Sequence, residues 1–200
     1  MESEIRLLAF NGSPRIGGNT ATMLRAMVEG AREAGAVCEV VNVCDLEIAP
    51  CIGCGACDNT GICIIEDDMQ EIYQKIVDAQ RLVLASPIYF YGITAQAKAL
   101  VDRTQALWNR WRLDGAPERK GEDGRRGVLL AVAATKGPKV FDGAILTAKY
   151  AFDAMGFAHG GELLWRGLEN TGDAAGNIEA LDAARAEGRA LVQAITPPGQ

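Results

Sequence analysis

The sequence predicts an α/β fold built on a five-stranded parallel sheet with helices on both faces. Two observations carry that expectation. Short apolar runs alternate from end to end with longer stretches whose apolar residues recur at helical spacing. The apolar runs are continuous rather than alternating, the pattern of strands buried on both faces and therefore of a parallel sheet. A chain of 200 residues is long enough for one domain with its own buried core.

Ile5 to Phe10 is the first strand, and it runs into Asn11-Gly12-Ser13-Pro14, a turn signal. From Thr20 onward Met23, Leu24, Met27, Val28 and Ala31 mark a helix that Gly35 stops. Val37 to Val43 is the second strand. A helix from about Asp67 to Ala79 presents Met69, Ile72, Tyr73, Ile76 and Val77 on one face. Leu82 to Ala85 is the third strand, closed by Ser86-Pro87, and Gln96 to Trp108 is helical with Ala97, Leu100, Val101 and Leu107 inside. The polar, Gly-rich stretch at about 108–127 reads as a surface excursion. Val128 to Ala134 and Phe157 to Trp165 are the last two strands, with a helix over Gly143 to Met155 between them and another over Ile178 to Ile195. The tail from Thr196 reads as frayed.

The chain is therefore expected to be a single domain over residues 1–200, with a cysteine-rich loop at about 44–66. Right-handed crossovers leave few topologies for five such units, and the flavodoxin-like order 2-1-3-4-5 leads them. In that order a ligand binds at the carboxyl ends of strands 1 and 3, where the strand sequence reverses direction.

Bulk composition narrows the function classes. Apolar residues make up 48%, charged residues 23%, and the net charge is −6. Such a balance argues against nucleic acid as a partner, because phosphate backbones are held by clustered Lys and Arg. The opening MESEIRLLAF carries acids where an export signal needs a basic region, and no stretch approaches the roughly 18 apolar residues of a membrane helix. A cytoplasmic protein with no membrane partner is expected, whose six cysteines stay reduced.

The loop Asn11-Gly12-Ser13-Pro14-Arg15-Ile16-Gly17-Gly18-Asn19-Thr20 opens the first helix. Its glycines allow close backbone approach and positive φ, and a helix N-terminus presents free N–H groups and partial positive charge to an anion. Ser13, Asn19 and Thr20 add side-chain donors, Arg15 adds a charge, and Gly18 admits the ligand. Neither GxGxxG nor GxxxxGK[ST] is present, so a lone monophosphate suits the loop better than a dinucleotide or a triphosphate. The plainer reading is a tight turn whose Asn or Thr caps the helix.

Cys51, Cys54, Cys57 and Cys63 fall within thirteen residues. Two successive C-x2-C spacings let three thiolates converge while Gly53 and Gly55 relieve the backbone, and the bacterial ferredoxin run opens in the same way. The fourth cysteine follows five residues later without a proline, so all four can serve one centre. Structural zinc, or no metal with the cysteines as small packing residues, are the other readings. Cys38 and Cys44, at the two ends of the second strand, read as core residues. His159, beside Gly160-Gly161 and with no acidic or cysteine neighbour expected, reads as structural.

Strand–GSPR–x–x–GNT–helix, followed at the third strand by Ser86-Pro87-Ile88-Tyr89 and Gly92 through Lys98, resembles the NADPH-dependent FMN reductase family, and within it the iron–sulfur flavoproteins. The likeness covers about the first 105 residues in motif and the rest in element order. It implies FMN, with Pro87, Ile88, Tyr89, Phe90 and Gly92 along the isoalloxazine and Thr135 approaching its other side. A proline-fixed turn with aromatics offers the flat apolar contact a flavin needs, although each aromatic taken singly reads equally well as packing. The likeness also implies a [4Fe-4S] cluster on the four cysteines and a homodimer or homotetramer.

The function expected is an FMN-dependent oxidoreductase or electron-transfer flavoprotein in which the cluster passes single electrons to or from FMN. No carboxylate pair or triad nominates a catalytic acid, base or nucleophile. The donor or acceptor is a small molecule, NAD(P)H as a transient reductant, or ferredoxin. Alternatives are an NAD(P)H-dependent FMN or quinone reductase without a cluster, and a non-enzymatic carrier or redox sensor.

Overall fold

The computed structural model describes residues 4–115 and 124–193. Five parallel strands form one sheet: β1 (Arg6–Asn11), β2 (Val37–Asn42), β3 (Arg81–Pro87), β4 (Arg126–Ala133) and β5 (Ala158–Arg166), in the order β2-β1-β3-β4-β5. This is the flavodoxin-like order. The central strands are apolar because they face helices on both sides. Leu8 and Phe10 of β1, Leu82 and Leu84 of β3, and Leu129 and Ala131 of β4 enter one core layer. The alternate residues Leu7 and Ala9, Val83 and Ala85, and Val128 and Leu130 enter the other, as the period-2 geometry of a strand requires.

The first layer is closed by α2 (Met69–Asp78), α3 (Ala95–Arg103), α4 (Gln105–Leu113) and α5 (Asp142–Met155). The second is closed by α1 (Asn19–Glu33) and α6 (Ile178–Gln193). These last two helices touch backbone to backbone. A Cβ on Gly30 would stand 2.1 Å from the Arg185 carbonyl oxygen, and one on Gly188 only 1.9 Å from that of Met27. Ion pairs from Arg185 to Glu29 at 3.2 Å and from Arg189 to Glu33 at 2.8 Å flank the crossing.

Two expectations change. The helix expected to end at Trp108 bends at Thr104 and resumes as α4, so Trp108–Leu113 is helical rather than part of a surface excursion. Its inner face explains why: Ala106, Leu107, Asn109 and Trp111 are all buried. Of the remainder, 116–123 lies outside the described residues, as do the last two residues of the final helix expected and the tail. Arg81 and Arg125, unremarked in the sequence, are buried at the amino end of the sheet. Arg81 Nε donates to the Leu191 carbonyl at 2.6 Å, and Arg125 Nε to that of Ala79 at 2.9 Å.

Candidate functional site

The loops after β1, β2 and β3 leave the same edge of the sheet, as the topology dictates. Gly12 N donates to the Ala85 carbonyl at 2.8 Å, and the Gly12 carbonyl accepts from Thr94 Oγ1 at 2.7 Å. A Cβ at Gly12 would meet Ala97 Cβ at 2.8 Å, so the close approach of these two loops demands glycine. Positive φ was the other reason expected for glycines here. Gly12, Gly17 and Gly18 do not use it: none is among the positive-φ glycines.

The phosphate-type loop folds on itself before the helix begins. Ser13 Oγ accepts from Arg15 N at 3.2 Å, and Gly18 N donates to the Arg15 carbonyl at 3.0 Å. Gly18 is the N-cap of α1, in extended geometry and with no side-chain cap, so the first-turn N–H groups of the helix face outward without a capping oxygen. They open onto a cavity of about 190 Å³. Ser13, Arg15, Gly18, Asn19, Thr20, Pro87, Ile88 and Tyr89 all line it, eight of the residues expected from the sequence. Ser13 and Thr20 are buried and Arg15 is exposed.

Asn19 plays a part the sequence did not show. Its side-chain nitrogen donates to the carbonyls of Leu168 at 3.3 Å and Asn170 at 2.8 Å, and its oxygen accepts from Ala174 N at 3.1 Å. The side chain thus fastens the loop after β5 rather than standing free as a donor. That loop contributes Leu168 and Glu169 to the cavity, and Val132 near the end of β4 and Ala134 just past it also line it. The usable signal was positional: they lie at or beyond the carboxyl ends of β4 and β5.

Phe90, Gly92 and Thr135 do not line this cavity. Tyr89 and Gly92 exchange two backbone hydrogen bonds, each at 3.0 Å, around Phe90 and Tyr91. Both central residues have positive φ, 49° and 65°, which makes a tight turn of the type that normally selects Asn-Gly. Such a conformation costs a bulky residue about 1–2 kcal/mol. Phe90 projects fully exposed at the tip. The turn is held from behind: Gly143 lies so near that a Cβ there would stand 2.6 Å from the Tyr91 carbonyl oxygen.

The four clustered cysteines form a second site. Gly53, Gly55 and Gly61 take positive φ and fold the segment into a compact loop. Helix α4 backs it: Asn109 Nδ2 approaches Cys57 Sγ at 3.2 Å and donates to Asp58 Oδ1 at 3.1 Å. Cys51, Cys54, Cys57 and Cys63 line one cavity of about 210 Å³ together with Arg103, Gln105 and Ala106. All four are free thiols, Cys51 and Cys54 exposed and the others half-buried. Among the described residues, no three His, Cys, Asp or Glu side chains stand close enough together to hold a metal ion. The chemistry of the donor set fits a soft, thiolate-bound centre, since sulfur is its dominant donor, and the thiols reach such a centre only by turning inward.

Arg103 closes this loop at its base. Its side chain is 1% exposed and pairs with Asp67 through both terminal nitrogens, at 2.6 and 3.0 Å. The same nitrogens donate to the carbonyls of Ala49 at 2.8 Å and Ile65 at 3.2 Å, before and after the cysteines. Burial works against the charged guanidinium, but the bonds to Asp67 outweigh it and hold the proton more firmly than in water. Tyr73 Oη donates to the Arg103 carbonyl at 2.9 Å, and burial, with Cys63 beside it, pushes that phenol well up.

Cys38 and Cys44 lie apart from this cavity, and burial raises both thiols above the ordinary range. His159 stacks on Phe152 with centroids 6.0 Å apart. Contrary to the sequence reading, it has an acidic neighbour, with Glu162 Oε1 3.2 Å from Nε2. No helix among the described residues is long and apolar enough to cross a membrane.

A profile of the NADPH-dependent FMN reductase family matches residues 5–156, and the chain belongs to that family. Iron–sulfur flavoproteins of Methanocaldococcus jannaschii and Methanosarcina thermophila are each 40% identical over 103 residues, 52% of this chain and 53% and 54% of theirs. The chain thus spans about half the length of these curated relatives. The fold is shared with the NAD(P)H:quinone oxidoreductase of Methanothermobacter marburgensis, with a TM-score of 0.66 at 17% identity over 98% of both chains.

Proposed function

We propose that this chain is an FMN-dependent oxidoreductase, with an iron–sulfur cluster on Cys51, Cys54, Cys57 and Cys63. The observation that carries the flavin reading is the uncapped N-terminus of α1, open to a cavity whose facing wall is Pro87–Tyr89. The first-turn N–H groups, the Ser13 and Thr20 hydroxyls and the Arg15 guanidinium take the phosphate, and Gly18 leaves room for it. Asn19 keeps the Leu168 wall in place. Pro87, Ile88 and Tyr89 give the ring a flat apolar bed, with Gly92 closing the turn that follows it; Phe90 and Thr135 would reach the ring only from outside the cavity.

FMN, when bound, accepts electrons in pairs and releases them singly, while the cluster carries one at a time. The residues of this chain bind, orient and shield these groups rather than donating protons or attacking substrate. The reductant is NAD(P)H or a ferredoxin, and the chain works in the cytoplasm as a homodimer or homotetramer. Exchange between the two groups runs within a subunit or across a dimer interface.

A second reading, a cluster-free NAD(P)H-dependent reductase, is favoured by the spacing of the thiols, no three of which stand at metal-holding distance among the described residues. Anaerobic purification followed by absorption spectroscopy and iron analysis separates the two. Flavin bands with a broad shoulder bleached by dithionite support the cluster. Flavin bands without iron, after reconstitution with ferrous iron and sulfide, leave the simpler reductase. Colourless protein that takes up no added FMN overturns both.

A further inference from the structure

We propose that Arg103 is the positioning residue of the cysteine centre: it clasps both ends of the cysteine loop and sets a fixed positive charge against the four sulfurs. This rests on the cluster reading above.

Three observations carry it. The clasp is geometric. One guanidinium reaches Ala49, two residues before Cys51, and Ile65, two residues after Cys63, while Asp67 orients it. Asp67 in turn accepts from Ala49 N at 2.9 Å and Met69 N at 3.1 Å, so the ion pair ties the loop to the start of α2. The placement is specific: Arg103 lines the same cavity as the four cysteines. Finally, its Nε is buried and has no hydrogen-bond partner among the described residues. A buried N–H left without a partner is costly unless something else accepts from it.

The charge balance explains why an arginine suits this place. Four thiolates gathered in a cavity walled by Ala106 and Ile65 carry strong mutual repulsion, and Asp58 at the same wall adds to it. Arginine keeps its charge at every accessible pH, and its fork can hold Asp67 and two carbonyls while leaving Nε for sulfur. Hydrogen bonds to cluster sulfurs and nearby charge are the terms by which a protein sets a cluster's potential. A positive charge favours the reduced, more negative state.

Opposite charge changes at the same ion pair separate this role from simple packing. In anaerobically reconstituted protein, R103Q should lower the cluster midpoint read by EPR-monitored titration, and D67N should raise it, with the FMN midpoint unmoved in both. R103K keeps the charge without the fork. It should retain a midpoint near that of wild type but lose iron to bathophenanthroline about 10-fold faster or more. If R103Q does not fold, the sign of the D67N shift and the R103K chelation rate decide. Cluster midpoints that move in the same direction in R103Q and D67N, or do not move, overturn the proposal while the cluster reading stands. Wild-type protein that takes up no iron overturns the cluster reading and this one with it.

Discussion

Thr94 Oγ1 donates to the Gly12 carbonyl oxygen at 2.7 Å and accepts from Ala97 N at 3.2 Å, so one hydroxyl both joins two loops and caps α3. Thr94 is fully buried. T94V, which keeps the shape and removes the hydroxyl, leaves a buried carbonyl and a helix N–H unsatisfied. It should destabilise the fold by about 2–4 kcal/mol, read as a fall in the denaturant midpoint at unchanged slope, whereas T94S should stay within about 1 kcal/mol of wild type. A T94V loss no larger than about 1 kcal/mol would show that the hydroxyl's hydrogen bonds contribute little.

The anion cradle of α1 makes a binding prediction. T20V and R15A should each weaken FMN affinity, T20V by about 10–100-fold, since a hydrogen bond to a charged group contributes about 1.5–3 kcal/mol. The effect of R15A should shrink as salt rises, because Arg15 is exposed and its attraction is screened. Fluorescence quenching of free FMN measures both. Unchanged dissociation constants would put the phosphate elsewhere.

At the Phe90-Tyr91 turn, F90N should stabilise the protein by about 1 kcal/mol, because asparagine tolerates left-handed geometry and Phe90 loses no packing at full exposure. A higher melting temperature accompanied by slower turnover would mean that the strained aromatic is kept for its action at the cavity mouth. A lower melting temperature would remove the strain argument.

The Arg103–Asp67 pair carries a pH signature. Burial works to raise the Asp67 carboxyl, but the Arg103 bonds and two backbone N–H groups overcome it, and the group titrates below the usual carboxylate range. A depressed carboxyl stabilises above its unfolded value of about 3.9 and loses that contribution as pH falls through the folded one. D67N should therefore be clearly less stable than wild type near neutrality, and the gap should narrow as pH falls below about 3.9. Urea midpoints across that range test it; a constant gap would refute it.

The sheet order and the strands followed from hydrophobic patterning because central strands buried on both faces leave little freedom. The eight residues that came together around the first cavity were legible because a helix N-terminus and a proline turn have local signatures. What escaped depended on contacts distant in sequence. Asn19 looked like a ligand donor, yet its partners are Leu168, Asn170 and Ala174, some 150 residues on. Arg103 sat unremarked within the helix expected over Gln96 to Trp108, and only the folded loop reveals what it clasps. Trp108–Leu113 was masked by its charges, since two arginines and a leucine on the outer side hid a buried face.

G30A and G188A should each destabilise by about 1–3 kcal/mol, with a matching fall in melting temperature. Alanine's better helix propensity, about 1 kcal/mol, acts in the opposite direction, but a Cβ at 2.1 or 1.9 Å from a carbonyl oxygen forces the two backbones apart. A rise in melting temperature would show that the contact yields easily.

Since α1 begins at the cavity and is pressed against α6 toward its far end, two segments nearly the whole sequence apart behave as one slab. The aim of the first-turn amides is therefore inherited from a helix far downstream. A tag or insertion that tilts residues 178–193 would re-point those amides without touching any residue around the ligand.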